Sequence, residues 1–82
     1  MDLLITKKAT KELDKIPDSL AKKIVDHLLL LQKNPYPTNS KKLQGKNIFR
    51  LRIGSFRVLY SINKSKKQIT ILRVADRKTI YR

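Results

Sequence analysis

The first half of the chain has the hydrophobic spacing of a short strand followed by two helices. Residues 3–6, LLIT, form an apolar segment that predicts a strand. Apolar residues then recur at spacings of four and three, as on one face of a helix: Ala9, Leu13 and Ile16. Thr6 can cap this helix and Pro17 interrupts it, so a second helix restarts at Asp18 or Ser19.

The second predicted helix carries an apolar stripe that is broader than one sheet face needs. Its members lie on or beside a single face: Leu20, Ile24, Val25, His27, Leu28, Leu29, Leu30 and Leu31. We interpret His27, the only histidine, as a packing residue. The segment NPYPTNS, residues 34–40, ends the helix because its prolines cannot continue it. From there we expect an exposed loop into KKLQGK, residues 41–46.

Residues 48–60, IFRLRIGSFRVLY, have the alternation of a β-hairpin. Gly54 and Ser55 suit a two-residue type II′ turn, which would place Arg52 opposite Arg57. Alternation then puts six apolar side chains on the face covered by the helices: Phe49, Leu51, Ile53, Phe56, Val58 and Tyr60. The other face, open to solvent, carries Arg50, Arg52 and Arg57, and further candidates for it are Leu59, Leu72 and Val74.

The last predicted strand, KQITILRVA at residues 67–75, follows the turn NKSK, and its register is left open by the pattern. The third strand runs to about Ile62. The chain is therefore predicted to be a single α+β domain over residues 1–82. Two N-terminal helices would pack on a four-stranded, mainly antiparallel sheet in the order β-α-α-β-β-β.

The basic residues are concentrated in the second half of the chain, and this distribution indicates what kind of ligand the protein binds. The net charge is +14, and residues 41–82 contribute +12 of it, with Asp76 as their single acid. All six arginines lie in this half, and a guanidinium group can bind phosphate through two parallel hydrogen bonds. Facing arginines on neighbouring strands repel unless an anion bridges them. A nucleic acid is the favoured partner; a solvated surface and an acidic protein are the alternatives.

Several classes of protein are disfavoured by composition. The chain has no cysteine, so it has neither disulfides nor thiolate metal sites. One histidine and one acid in the basic half cannot build a metal site. Two glycines do not make a phosphate-binding loop, and no apolar run approaches a membrane span or a signal peptide. We expect a cytoplasmic protein with no cofactor and no membrane partner.

The ordered set of motifs resembles the RelE/ParE toxins of bacterial and archaeal toxin–antitoxin systems over nearly all 82 residues. It consists of KELDKIP in the first helix, NPYP after the second, KLQGKNIFRLRIGSFRVLY across the hairpin and RVADRKTIYR at the C-terminus. The resemblance implies a RelE-like fold and a type II toxin that cuts messenger RNA in the ribosomal A site. In such relatives the ribose 2′-hydroxyl attacks the adjacent phosphate and leaves a 2′,3′-cyclic phosphate without a metal.

The resemblance also implies site residues and partners. The implied catalytic residues are Arg50, Arg52, Arg57, Arg77 and Tyr81, with the tyrosine ring suited to stacking on a base. We assign RNA binding to further basic residues of the same half: Lys42, Lys46, Arg73, Lys78 and Arg82. The expected partners are messenger RNA, the ribosome and a cognate acidic antitoxin whose helix covers exposed apolar surface. Operator DNA would be bound only through the antitoxin complex.

The C-terminal motif departs from the family pattern at one position of consequence. Where many relatives read GHR this chain reads ADR, so Asp76 stands where a histidine is common. Asp76 is either an unusual base or the partner of an arginine, and Tyr81 would need basic neighbours to ionise. Two alternatives therefore stay open: a ParE-like inhibitor of DNA gyrase that does not cut RNA, and an inactive domain that keeps the fold.

Overall fold

The computed structural model describes residues 1–43 and 47–76, which form two helices and five strands. In chain order these are β1 (Asp2–Ile5), α1 (Lys7–Asp14), α2 (Asp18–Leu31), β2 (Ser40–Lys42), β3 (Ile48–Ile53), β4 (Phe56–Asn63) and β5 (Gln68–Asp76). The sheet order is β1-β5-β4-β3-β2, with β1 parallel to β5 and every other pair antiparallel. The α+β class is confirmed.

The predicted number of strands was wrong by one, because residues 40–42 form β2 instead of continuing the loop. β2 pairs with β3 from Ser40 opposite Leu51 to Lys42 opposite Phe49. Its sequence, Ser-Lys-Lys, contains no apolar residue and so shows no alternation. The strand forms because β3 offers a free backbone edge, and unpaired backbone groups are costly to leave there.

The N-terminus of α1 follows the prediction. Thr6 is its N-cap, and the Thr6 hydroxyl accepts a hydrogen bond from the Ala9 amide at 3.2 Å. α2 begins after Pro17, which stands at the N-cap without a side-chain hydrogen bond, and Asp18 places an acid in the first turn. The interruption at Pro17 therefore separates two helices that share one apolar layer.

The core lies between the helices and one face of the sheet. The helices contribute Ala9, Ile24, Leu28 and Leu31, and the sheet contributes Leu51, Ile53, Val58, Tyr60, Ile62, Ile69, Ile71 and Val74. The predicted face of β3 and β4 is confirmed by this set. The placement of Val74 on the arginine face was wrong. A β-bulge between Leu59 and Tyr60 inserts one extra residue into β5, so Ile71 and Val74 both face the core.

The β3–β4 turn has the backbone that a type II′ hairpin requires. Gly54 has a φ of +57°, and Ser55 is not among the described residues with positive φ. The pairs Ile53–Phe56 and Arg52–Arg57 follow directly from the turn. Both arginines therefore stand on the same rung of the sheet, as the sequence predicts.

Replacing Gly54 with alanine should destabilise the fold by about 1–2 kcal/mol, because an L residue pays for left-handed backbone. A Cβ built at Gly54 meets nothing within 4 Å, so the cost comes from the backbone alone. Urea unfolding measures it, with Ser55→Ala as the control, since Ser55 is not among the described residues with positive φ and its replacement should cost less. Equal losses for both variants would contradict the assigned turn.

Candidate nucleic-acid interface

A cleft of about 330 Å³ lies where β2 meets β3, on the sheet face opposite the helices. It is lined by Thr38, Asn39, Ser40, Lys41, Arg50 and Arg52. A cleft of this size is at the lower end of the range for small-ligand sites, and three of its lining side chains are cationic. The geometry therefore suits an anionic ligand that enters a concavity.

The strand register explains why these cations converge. Lys41 lies opposite Arg50, and Arg50 lies opposite Leu59, so the three side chains stand on one rung of the sheet. The next rung on the same face joins Arg52, Arg57 and Ala75. Adjacent rungs on one face are about 7 Å apart, so the cations span roughly the distance between neighbouring phosphates of a nucleic acid strand.

Exposure differs sharply among the three predicted arginines. Arg52 is exposed and Arg50 is half-buried, but Arg57 is only 4% exposed. The expectation of a fully open arginine face is therefore corrected at Arg57. Its guanidinium lies in surroundings where charge–charge interactions are screened far less than in water. Arg52, on the same rung, meets solvent directly.

Backbone and side-chain hydrogen bonds hold the rim of the cleft in place. The Asn39 side-chain amide donates to the Arg52 carbonyl at 2.8 Å, and the Arg52 amide donates to the Asn39 carbonyl at 3.0 Å. The Ser40 hydroxyl donates to the Pro37 carbonyl at 2.7 Å. These bonds extend the β2–β3 ladder past its end, so the backbone beneath Arg52 is fixed on both sides.

A buried tyrosine anchors the loop that leads into the cleft. The Tyr60 hydroxyl donates to the Pro35 carbonyl at 2.8 Å, and the Tyr60 ring stacks on Phe49 with centroids 5.4 Å apart. Burial raises the pKa of the Tyr60 phenol above its ordinary value of 10.0, an effect partly offset by a hydrogen bond with Ser40. The NPYP segment is thus tied to the core through a side chain of β4.

Alkaline pH should destabilise the protein partly through Tyr60. The unfolded chain loses this proton near pH ~10 while the folded state keeps it, so stability that is complete below that pH falls as the pH rises. Tyr60→Phe should cost about 1 kcal/mol at neutral pH, through the lost bond to Pro35. Its unfolding free energy should then decline less than that of the wild type above about pH 10.

The control is Tyr36→Phe, because Tyr36 is exposed and packs edge-on against Phe49. It should leave neutral stability nearly unchanged and keep the alkaline decline. Urea titrations across the pH range compare the three proteins. An undiminished decline in Tyr60→Phe would contradict the assignment.

The remaining predicted residues fall into three groups. Lys42 lies opposite Phe49, so it belongs to the other sheet face from Arg50 and Arg52. Arg73 is engaged by Glu12, with its Nη2 3.0 Å from Glu12 Oε2. Five residues lie outside the described ranges: Lys46, Arg77, Lys78, Tyr81 and Arg82.

The two titratable residues singled out in the sequence occupy different environments. Asp76 is half-buried at the end of β5, opposite Phe56. His27 is half-buried on α2, and its Nδ1 lies 3.0 Å from the Lys23 carbonyl one turn earlier. His27 lies on the far side of the sheet from the arginines, where it lines a groove together with Leu30 and Pro37.

Lys41 is a residue of the cleft that sequence reasoning missed. It was assigned to a loop, and alternation cannot be applied to a residue whose strand is not predicted. The neighbouring Lys42 was chosen in its place, although the two point to opposite faces. Asn39 and Lys41 are two residues apart, as side chains on one face of a strand are. This spacing identifies Lys41 as a cleft residue only once β2 is known to pair with β3.

The family of the chain is shown by comparison with known proteins. The family model of the ParE toxin of type II toxin–antitoxin systems, parDE, matches residues 3–81. The chain belongs to the RelE/ParE toxin family. A Methanocaldococcus jannaschii protein named as the toxin RelE1 is 33% identical to this toxin, over 95% of this chain and 91% of that protein.

Solved structures agree with this membership. The RelE–RelB complex from Pyrococcus horikoshii matches with a TM-score of 0.85 and 28% identity, over 95% of this toxin and 96% of that chain. The RelBE2 toxin–antitoxin complex from Mycobacterium tuberculosis matches with a TM-score of 0.81 and 27% identity, over 92% and 95%. Within the described residues, neither helix of the toxin is long and apolar enough to span a membrane.

Proposed function

We propose that this toxin is a ribosome-dependent endoribonuclease that cuts messenger RNA in the A site without a metal ion. The observation that carries the proposal is the cleft in which Lys41, Arg50 and Arg52 converge beside the buried Arg57. Guanidinium groups bind phosphate through paired hydrogen bonds, and concave sites favour a ligand that can be surrounded. The high positive charge would also draw the toxin to ribosomal RNA.

The proposed reaction is a phosphoryl transfer within the RNA. The 2′-oxygen attacks the adjacent phosphorus, the bond from phosphorus to the 5′-oxygen breaks, and a 2′,3′-cyclic phosphate and a 5′-hydroxyl form. The 2′-hydroxyl proton passes to a base, and the leaving 5′-oxygen takes up a proton. Negative charge grows on the non-bridging oxygens during the attack, which is where preorganised cations accelerate the reaction most.

We assign phosphate contact and charge stabilisation to different residues of the site according to their exposure. Arg52 meets the incoming phosphate because it is exposed, and Arg50 and Lys41 contact the same or the next phosphate from the adjacent rung. Arg57 lies opposite Arg52 on the neighbouring strand and adds charge from weakly screened surroundings. Arginine stays protonated at ordinary pH and so cannot accept the 2′-hydroxyl proton. On sequence grounds we therefore propose Tyr81, aided by Arg77, for proton transfer.

Primer extension on messenger RNA tests the proposal directly. The toxin is added to programmed ribosomes and, separately, to the same transcript without ribosomes, and the 3′ products are assayed for a cyclic phosphate. Cuts only on ribosomes support the proposal. Cuts on both substrates would indicate a free ribonuclease. Growth arrest without any cuts would favour the gyrase-inhibiting alternative, which is consistent with the match to the ParE family model.

We also propose that a cognate acidic antitoxin covers the apolar surface of α2. Leu29 and Leu30 are strongly exposed there, and a groove of about 260 Å³ beside them is lined by residues that include Leu30, Leu31 and Pro37. An amphipathic helix with acidic flanks would fill the groove and offset the net positive charge. In its solved structure, the RelE relative from Pyrococcus horikoshii is in complex with RelB. A toxin that acts on ribosomes would work in the cytoplasm, which is the location we propose.

Co-purification from the native operon tests the partner. An acidic protein encoded beside the toxin should be retained by wild-type toxin and held less tightly by Leu30→Ala. Lys66→Ala, in the β4–β5 turn, serves as the control and should bind normally. If no acidic protein is recovered, or if Leu30→Ala binds as tightly as the wild type, the proposed contact is wrong.

A further inference from the structure

Among the residues that the structure describes, the C-terminal half of β5 has no partner strand on one side. β1 pairs with β5 only from Asp2 opposite Gln68 to Ile5 opposite Ile71, whereas β5 continues to Asp76. After Ile5 the chain turns at Thr6 into α1. The edge of β5 beyond Ile71 therefore has backbone groups that β1 does not reach, and an unpaired edge is prone to fray.

Side chains from the N-cap and the last turn of α1 bond to this edge in place of a strand. The Thr6 hydroxyl donates to the Leu72 carbonyl at 3.3 Å while it caps α1. One step further along β5, Glu12 Oε1 accepts a hydrogen bond from the Val74 amide at 2.9 Å. The free edge is thus satisfied on alternate residues, as a paired strand would satisfy it.

The Glu12 carboxylate also binds the side chain of Arg73. Arg73 Nη2 lies 3.0 Å from Glu12 Oε2, and Arg73 Nε lies 3.3 and 3.4 Å from the two carboxylate oxygens. Both partners are partly buried, with 34% of the Arg73 side chain and 21% of the Glu12 side chain exposed. A bidentate pair with a third, backbone donor holds one geometry more firmly than a simple surface ion pair.

The segment fixed in this way flanks the cationic face. Ala75 lies opposite Arg57 on the second rung, and Asp76 lies opposite Phe56. The chain then continues toward Arg77 and Tyr81. Movement of this half of β5 would therefore shift the backbone beside Arg57.

We infer that Glu12 is a positioning residue of the toxin, which holds the second half of β5 against β4 and so places Arg57. Arg73 acts with it as a structural partner, in place of the RNA contact assigned from the sequence. The inference rests on the proposed function for its effect on activity.

Three variants separate positioning from charge. Glu12→Ala removes the acceptor for the Val74 amide and the partner of Arg73. Glu12→Gln keeps a carbonyl acceptor but removes the charge. Asp14→Asn removes one negative charge from the same helix at an exposed position, so it is the matched control. Each is compared with wild-type toxin by amide hydrogen exchange, by growth arrest and by the rate of cutting on programmed ribosomes.

The expected result is local. In Glu12→Ala, exchange of the Val74 and Ala75 amides should rise about tenfold or more, while that of Leu51 and Tyr60 stays unchanged. Cutting should slow about tenfold, mainly in kcat, because misplaced groups lose transition-state contacts. Growth arrest should weaken in parallel. Glu12→Gln should retain most activity, and Asp14→Asn should match the wild type.

Several outcomes would overturn the inference. Unchanged exchange at Val74 in Glu12→Ala would show that the edge does not depend on Glu12. Faster exchange with full growth arrest would show that the edge does not position the site, and a uniform rise across the sheet would indicate a general loss of stability. If wild-type toxin arrests growth without cutting RNA, the proposed function fails, yet exchange and growth arrest still decide the role of Glu12.

Discussion

Replacing Arg52 with alanine should reduce messenger RNA cutting by about 100-fold or more, the usual cost of removing one preorganised group that stabilises transition-state charge. Arg52 is the exposed arginine of the cleft, and it stands on the same rung as Arg57. The fold should not suffer, because the substitution removes a like-charge pair and can gain a few tenths of a kcal/mol. Cutting on programmed ribosomes and urea unfolding measure the two effects.

Two further variants sharpen this result. Arg52→Lys keeps the charge but loses the planar fork, so we expect an intermediate loss of about tenfold. Lys66→Ala removes one positive charge from the exposed β4–β5 turn and should leave cutting unchanged. If Arg52→Ala and Lys66→Ala lose the same activity, only total charge matters, and the cleft is not the site.

Replacing Leu28 with alanine should destabilise the toxin by about 3 kcal/mol, within the range for fully buried leucines. Leu28 is 0% exposed and lies in the layer that joins α2 to the sheet. A domain of this size has little stability to spare, so the midpoint of thermal unfolding should fall by about 12–24 °C. Calorimetry and urea unfolding would record both losses.

The matched control lies two residues further along the same helix. Leu30 is 61% exposed, so Leu30→Ala should change the free energy of unfolding by less than about 0.5 kcal/mol. The same variant is the one expected to weaken antitoxin binding, which separates the core face of α2 from its partner face. A large loss of stability in Leu30→Ala would mean that the two faces are wrongly assigned.

The local features that were predicted correctly all depend on neighbouring residues. Thr6 caps α1 through the Ala9 amide three residues away, and Gly54 sets a turn whose geometry alone pairs Arg52 with Arg57. In each case the deciding interaction is short-range, so the residue type and its spacing carry the information.

The errors arose where a distant strand decides the structure. β2 has no apolar residue and exists only as a partner of β3, and with it Lys41 was missed from the cleft. The bulge opposite Leu59 and Tyr60 moved Val74 into the core. Arg73 was assigned to RNA, although Glu12, 61 positions earlier, binds it. The hydrophobic pattern along the chain carries no information about contacts between residues that are far apart in sequence.

The sequence by itself determined the helices, the hairpin and the concentration of positive charge, because capping, turn geometry and hydrophobic periodicity act over a few residues. Tertiary structure alone decided that Arg50 and Arg52 share a cleft with Lys41, that Arg57 is buried, and that Glu12 secures the edge of β5. Those outcomes depend on which strand edges meet, and the backbone hydrogen bonds that join strands are the same for every residue type.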